Sequence, residues 1–220
     1  MPVTEHKNGV SPLSQRAQYA KGGIGRAYWD YRDREILSFL NAGDQCIVDV
    51  GCGEGITLEK IVRNGPRRAI IGIDSLQENV DICRRLGLPA RRGSVYQLDF
   101  PPASVDVVIL AEVIEHLESP RKAALEIHRI LRPRGRIVIV YPNDAVFMLA
   151  RLLTLKWREA FYDAGHVKRW KPGAMKALLT DCGFLISASR SIPFFFWPLS
   201  LHGIVCAVKK DALGGDANRS

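Results

Sequence analysis

Three glycines within five residues, Gly51, Gly53 and Gly55, follow the apolar run Cys46–Val50 and precede a helical pattern. Glycine carries no Cβ, so such a chain turns tightly, tolerates positive φ and lets a ligand lie against the peptide plane. In the dinucleotide fingerprint the third glycine comes two residues later, where a helix N-terminus receives a pyrophosphate. The spacing Gly51-x-Gly53-x-Gly55 therefore points to a cofactor without a diphosphate. Asp74 closes the next strand-like run, and its two carboxylate oxygens suit the paired hydroxyls of a ribose. An aspartate there is equally able to cap the helix that follows.

A second group carries acid–base and metal chemistry. In Ala111-Glu112-Val113-Ile114-Glu115-His116-Leu117, a helical turn would set Glu112, Glu115 and His116 at i, i+3 and i+4, on one face. Two carboxylates and an imidazole can ligate a divalent cation. The alternative is that Glu112 contacts the cofactor while Glu115 and His116 support the loop. His166 is a second imidazole able to take a proton from an acceptor; beside Gly165 it also reads as a hinge or capping residue. The candidate catalytic residues are thus Glu112, His116 and His166.

Elements that would position these groups are legible in the periodicity. Cys46–Val50, Ala69–Ile73, Val105–Ala111 and Arg136–Tyr141 are β-branched and apolar on both faces, as buried parallel strands are. They alternate with helical patterns at Arg32–Leu40, Ile56–Arg63, Gln77–Leu86, Pro120–Leu131 and Pro172–Cys182, where Ser119-Pro120 and Lys171-Pro172 are start signals. A short strand at Ala90–Gly93 and two late ones at Phe184–Arg190 and Ile204–Lys209 bring the count to seven. In an open βα sheet a ligand sits beyond the carboxyl ends of the strands, and every candidate loop falls there. Tyr141-Pro142-Asn143 should face the acceptor across the cofactor.

At 220 residues the chain suits one domain, 1–220, with residues 1–32 as an N-terminal lid segment and 144–165 as an amphipathic insert. Cys46, Cys52, Cys83, Cys182 and Cys206 are odd in number and lack a Cys-x-x-Cys pair, which predicts reduced thiols. The first residues lack a secretory apolar core and no run is long enough to span a bilayer, so a cytoplasmic location is expected. A net charge of +8 and a pI near 9.4 admit RNA, an acidic lipid surface or an anionic substrate as partner. The charge lies in short clusters, which also read as solvated faces.

Taken in order, Asp49-x-Gly51-x-Gly53-x-Gly55, Gly72-Ile73-Asp74, Val105–Leu117 and Ile130–Pro142 resemble the class I S-adenosylmethionine (SAM) methyltransferases over about residues 46–142. The resemblance implies a Rossmann-like α/β fold, with helices on both faces of a seven-stranded, mostly parallel sheet and a small helical lid or insert. It implies the strand order 3-2-1-4-5-7-6 with the last strand antiparallel. It also implies SAM contacts from Arg26, Asp49, Gly51, Cys52, Gly53, Gly55, Asp74, Ser94, Ala111 and Glu112. Ser94 departs from the family pattern, which often has an acidic residue facing the adenine amino group there, so serine or backbone would make that contact. The Glu-x-x-Glu-His spacing is similar to that of the ubiquinone-biosynthesis O-methyltransferases, which methylate polyprenylated catechols. In that group these positions are associated with magnesium, which would carry Mg2+ to Glu112, Glu115 and His116. Arg26-Ala27-Tyr28-Trp29-Asp30 resembles its N-terminal region near the cofactor carboxylate, and His166–Pro172 its late histidine-basic-aromatic segment. The other reading of Arg26 is a surface arginine on a lid.

Ala145–Tyr162 interleaves Arg151, Lys156 and Arg158 with large apolar residues and Trp157. It is too short and too charged to span a bilayer, but suits an amphipathic helix on a membrane surface or at the entrance for a greasy substrate. Ile192–Leu201 adds a second aromatic patch, broken by prolines; the two segments could equally pack together as a lid. Peripheral contact with the inner face of a membrane through 145–162 and 192–201 is therefore expected. The leading expectation is O-methylation of a small hydrophobic acceptor, a phenol, quinone precursor or lipid-like molecule. The alternative is RNA 2′-O-methylation with a metal at Glu-x-x-Glu-His, against which no continuous basic groove or appended RNA-binding module is seen. A non-catalytic scaffold would be expected to have lost part of the cofactor motifs, and none is missing.

Overall fold

A computed structural model describes residues 14–64, 69–146, 167–194 and 196–210. His166, residues 147–162 of the insert and residues 1–13 of the lid segment lie outside this set.

Seven strands form one sheet: β1 Cys46–Val50, β2 Ala69–Asp74, β3 Ala90–Arg92, β4 Val105–Ala111, β5 Leu131–Pro142, β6 Phe184–Ile192 and β7 His202–Lys209. Their order is β3-β2-β1-β4-β5-β7-β6. The first five pair in parallel, whereas β7 runs antiparallel to both β5 and β6. The described helices are α1 Gln15–Ala20, α2 Gly23–Leu37, α3 Ile56–Asn64, α4 Gln77–Arg85, α5 Pro120–Ile130 and α6 Pro172–Asp181.

The apolar strands are covered on both faces, which is why they read as continuous apolar runs. Successive residues point opposite ways. Val108, Leu110, Ile137 and Ile139 pack with Ala123, Ile127, Met175 and Leu179 of α5 and α6, while Val107, Ile109, Val138 and Val140 pack with Ile36 of α2 and Ile61 of α3.

Three elements depart from expectation. Helix α2 starts at Gly23 rather than Arg32, although only Arg32, Asp33 and Ile36 of it are buried; ion pairs rather than an apolar stripe hold it. Strand β5 starts at Leu131, directly after α5, with Arg134 at φ +61° and a register shift between Val105 and Val107 on its partner. The arginine-proline-glycine composition there disguised a strand extension. Strand β7 starts at His202, two residues early, and pairs His202 with Pro142 at the carboxyl end of β5.

Candidate active site

The glycine loop leaves β1 with Gly51 N and Cys52 N both donating to Ile73 O, at 2.7 and 3.1 Å. Gly51 has φ +74°, and a Cβ there would run into the Val113 side chain from the β4 loop. Gly55 has φ +80°, and a Cβ would stand 2.8 Å from Cys83 Sγ and from Leu88 Cδ1. Side chains at either position would wedge apart the elements that enclose the loop. Asp74 does not cap the following helix, whose N-cap is Leu76 without a side-chain cap hydrogen bond, but it braces the turn before it. Its Oδ1 accepts from Leu76 N (2.9 Å) and Asn79 Nδ2 (3.1 Å), while Oδ2 accepts from Gly53 N at 2.8 Å, which ties the end of β2 to the glycine loop.

A cleft opens between these strand ends, lined by Asp49, Gly51, Cys52 and Gly53 around β1, and by Ala111 and Glu112 at the end of β4. Gln15 of α1, Trp29 and Arg32 of α2, and Thr57 of α3 complete the lining. Arg32 is buried and binds three ways. Its Nε and Nη2 donate to Asp33 Oδ1 at 3.0 and 2.8 Å, Nη2 reaches Thr57 Oγ1 at 3.1 Å, and Nη1 donates to Glu112 Oε1. Asp33 is also held by Lys60 Nζ at 2.7 Å. Buried charges of this kind are tolerated because each is paired and hydrogen-bonded. Burial opposes ionisation of Glu112, yet the Arg32 guanidinium and then His202 outweigh it and hold the carboxyl well below its usual range.

Among the described residues Glu112 is one of three non-glycines with positive φ, at +58°, and its N–H donates to Val140 O at 2.9 Å. A left-handed backbone at a non-glycine position costs about 1 kcal/mol or more and persists where the surroundings over-determine it. Here it turns the carboxylate away from the following turn and toward Arg32. Asp49 is 1% exposed, and its Oδ2 has no hydrogen-bond partner in the protein. Burial, and then Asp33, push its carboxyl up to about 7 against the pull of Arg32.

The expected metal-binding face does not form among the described residues. Glu112 precedes the turn in a left-handed conformation, and only Ile114–His116 are helical, as a single 3-10 turn. Glu112 is paired with Arg32, and His116 is exposed. Glu115 is 1% exposed, with burial and then Glu112 and Asp144 pushing its carboxyl well above its usual range. Among the described residues no group of three or more His, Cys, Asp or Glu side chains gathers to hold a metal. A cationic guanidinium beside one carboxylate and a second carboxyl enclosed in the protein do not offer the open oxygen ligands Mg2+ takes. The Arg32 guanidinium paired with Glu112 Oε1 holds its carboxyl well below the usual range, which makes it a weak proton acceptor.

The other sequence candidates fall in different places. Arg26 stands 3.8 Å from Asp30 and over the Tyr19 ring, half exposed and outside the cleft lining; the buried arginine of α2 is Arg32 instead. Ser94 is exposed and its hydroxyl accepts from Tyr96 N at 3.2 Å, within its own turn. Cys52 lines the cleft, and a hydrogen bond with Cys83 and burial push its thiol up. The five cysteines are free thiols. Val167 N and Lys168 N donate to Glu115 O at 2.9 and 3.1 Å, so the chain that follows residue 166 is anchored on the Glu112–His116 turn.

Two groups went unread in the sequence. Trp29, Arg32, Asp33 and Ile36 recur at i, i+3, i+4 and i+7, so charged residues on a helix's inward stripe were a usable signal. His202 gave none, since its placement depends on where β7 begins. It is 2% exposed; Nδ1 stands 2.6 Å from Tyr28 Oη and Nε2 3.4 Å from Glu112 Oε1.

Strand order, the antiparallel seventh strand and a diphosphate-free glycine loop at the end of β1 together define the class I SAM-dependent methyltransferase architecture. Residues 25–188 match the family model described as Methyltransferase domain, and the chain belongs to this family of SAM-dependent methyltransferases. It is 29% identical over 171 residues to a Mycolicibacterium smegmatis protein named "Probable S-adenosylmethionine-dependent methyltransferase", covering 75% of this chain and 62% of that one. It is also 29% identical over 133 residues to a ubiquinone biosynthesis O-methyltransferase of Idiomarina loihiensis, covering 57% and 51%. The match thus spans half to three-fifths of these curated relatives. A SAM-dependent methyltransferase structure from Archaeoglobus fulgidus superposes with a TM-score of 0.67 at 19% identity, covering 86% of this chain and 96% of that one; at that identity the likeness concerns the fold.

Proposed function

We propose that this chain transfers a methyl group from SAM to an oxygen of a small hydrophobic acceptor, a phenol or quinone precursor. The cleft suits the cofactor: Asp49 offers an unpartnered buried carboxyl oxygen for the amino-acid ammonium, and the glycine loop, tied to Asp74 behind it, leaves room where side chains would stand. When bound, SAM supplies an electrophilic methyl carbon on a sulfonium. The protein's tasks are then to hold the acceptor in line and remove its proton.

The observation that carries the acceptor reading is the ordered aromatic loop between β6 and β7. Phe194, Phe196 and Leu199 are 57%, 63% and 62% exposed, yet the loop is tied down. Asn143 Nδ2 donates to Trp197 O at 2.7 Å and Ser200 O at 3.0 Å, Ser200 Oγ donates to Phe194 O at 2.5 Å, and the Tyr141 and Trp197 rings lie 5.6 Å apart. An exposed apolar loop tied to Asn143, just past the end of β5, supports a greasy acceptor, delivered from a lipid surface or a detergent-like phase. The named O-methyltransferase of ubiquinone biosynthesis among the relatives supports the same reading.

The test is methyl transfer from labelled SAM to a prenylated catechol in detergent, with a short RNA in parallel and each with and without EDTA. Labelled catechol in both buffers is the expected result. Labelling of RNA alone would overturn the acceptor class, and labelling abolished by EDTA would restore the metal site.

A further inference from the structure

Three side chains from separate elements meet beside the cofactor cleft: Tyr28 from α2, His202 from the start of β7 and Glu112 from the end of β4. We infer that they form a proton relay in which Tyr28 takes the proton of the acceptor hydroxyl and passes its own to His202, with Glu112 holding the imidazole. The inference rests on the O-methyltransferase reading above.

The tautomer follows from the neighbours. Nε2 of His202 lies 3.4 Å from Glu112 Oε1, a charge contact outside hydrogen-bond geometry, and beside a group that can only accept we assign the hydrogen to Nε2. Nδ1 is then the lone-pair nitrogen, and the Tyr28 hydroxyl 2.6 Å away donates to it. The His202 and Tyr28 rings also stack, 5.6 Å apart and 20° from parallel, which fixes the phenol against the imidazole. The arrangement is that of a carboxylate–imidazole–hydroxyl triad, in which the carboxylate orients the ring and stabilises the imidazolium without itself becoming protonated. Glu112 suits that part because Arg32 keeps it ionised. Burial, and then Glu112, push the Tyr28 phenol up, so that it rests protonated and has a proton to pass on.

The step balances. The acceptor oxygen forms its bond to the methyl carbon while the carbon–sulfur bond breaks and its electron pair stays on sulfur. The acceptor proton moves to Tyr28 Oη, and the Tyr28 proton moves to His202 Nδ1. After the products leave, the imidazolium returns its Nδ1 proton to Tyr28 Oη as the Tyr28 hydroxyl releases its own proton to solvent. Tyr28 is only partly buried, as a group that meets the acceptor has to be, whereas His202 is enclosed.

Tyr28→Phe keeps the ring stack and removes only the hydroxyl. With an ordinary catechol its turnover should fall about 100-fold, the scale of general-base catalysis, while S-adenosylhomocysteine binding stays within about twofold. With a nitrocatechol already ionised at the assay pH, the loss should shrink to less than about fivefold, because no proton remains to be moved. His202→Gln should show the same pattern. Equal losses with both acceptors would overturn the relay and leave the O-methyltransferase reading intact. Failure of the unaltered protein to methylate any phenol would instead overturn that reading, and the relay with it. An independent readout is the nitrogen NMR spectrum of His202 in the S-adenosylhomocysteine complex: protonated Nε2, with an Nδ1 signal that shifts in Tyr28→Phe, is expected, and the opposite tautomer would overturn the relay whatever the acceptor.

Discussion

Asp49 shows how one buried oxygen couples pH to cofactor binding. The native carboxyl holds a proton that the unfolded chain releases above its ordinary value of 3.8, so its contribution to stability falls as pH rises from there to about 7 and is level beyond. Thermal unfolding of the ligand-free protein across that range should show this slope, and Asp49→Asn should remove it. An ammonium brought beside Asp49 favours the carboxylate, so binding of S-adenosylhomocysteine at about pH 6 should release a proton. Calorimetry in buffers of different ionisation heat measures this, and binding without proton release would place the ammonium elsewhere. Arg32→Met keeps the stem but strips Asp33, 1% exposed, of its guanidinium. A loss of roughly 3 kcal/mol in chemical denaturation is expected, mostly through Asp33, because the Glu112 side chain is 38% exposed and regains water.

At the scale of elements, α1 is six residues long with none of them buried. A helix that short does not stand alone in water. It is held by the glycine loop itself: Glu54 accepts from Ser14 Oγ (2.6 Å), Gln15 N (3.0 Å) and Arg16 N (2.8 Å), and Arg16 Nη2 reaches Glu59 at 2.9 Å. A carboxylate at a helix N-terminus is favourable for both partners. Gly22, at φ +74°, breaks the chain between α1 and α2, whose first residue Gly23 has φ +70°, and Gln15 of α1 lines the cleft. Glu54→Ala should therefore free α1 to limited proteolysis and weaken S-adenosylhomocysteine binding about tenfold, the equivalent of one lost helix cap. Global stability should change by less than about 0.5 kcal/mol, as for other surface changes. Unchanged affinity would mean that α1 covers the cleft without contributing to it.

Across the whole molecule, much of the positive charge is structural. Arg129 bridges Glu126 with Leu98 O and Phe100 O, Arg132 pairs with Asp106, and Arg136 joins Phe39 O to Asp44. The clusters Arg84-Arg85 and Arg91-Arg92 likewise place Arg84 on Ala90 O and Arg91 on Asp99 O. These guanidiniums tie strand and helix ends together, which weakens the case for a basic nucleic-acid groove. Among the described residues no helix is long and apolar enough to cross a membrane. Because the cleft gathers residues from α1, α2, α3, β1 and β4, a ligand there stabilises the whole fold. At a hundredfold excess over its dissociation constant, S-adenosylhomocysteine should add about 2.7 kcal/mol and raise the unfolding midpoint by about 5–10 °C. NAD at the same concentration should leave it unchanged, since the third glycine of a pyrophosphate loop is missing.

What the chain determined locally was legible from its residues alone. Uninterrupted apolar runs require strands covered on both faces, and the glycine spacing requires a turn open to a ligand; none of this needs knowledge of distant contacts. Asp49, Gly51, Cys52, Gly53, Ala111 and Glu112 accordingly line the cleft. What the tertiary structure alone decided were the pairings between charges far apart in sequence. Helical spacing cannot show that Glu112 turns to Arg32, 80 positions earlier, rather than to Glu115 and His116. That choice depends on the left-handed backbone at Glu112 and on where α2 packs. His202 meets Tyr28 across 174 positions because β7 returns antiparallel beside β5, and only the sheet order brings such a histidine to the mouth of the cleft. Periodicity reports which face of an element is buried, whereas electrostatic partners are settled when elements meet.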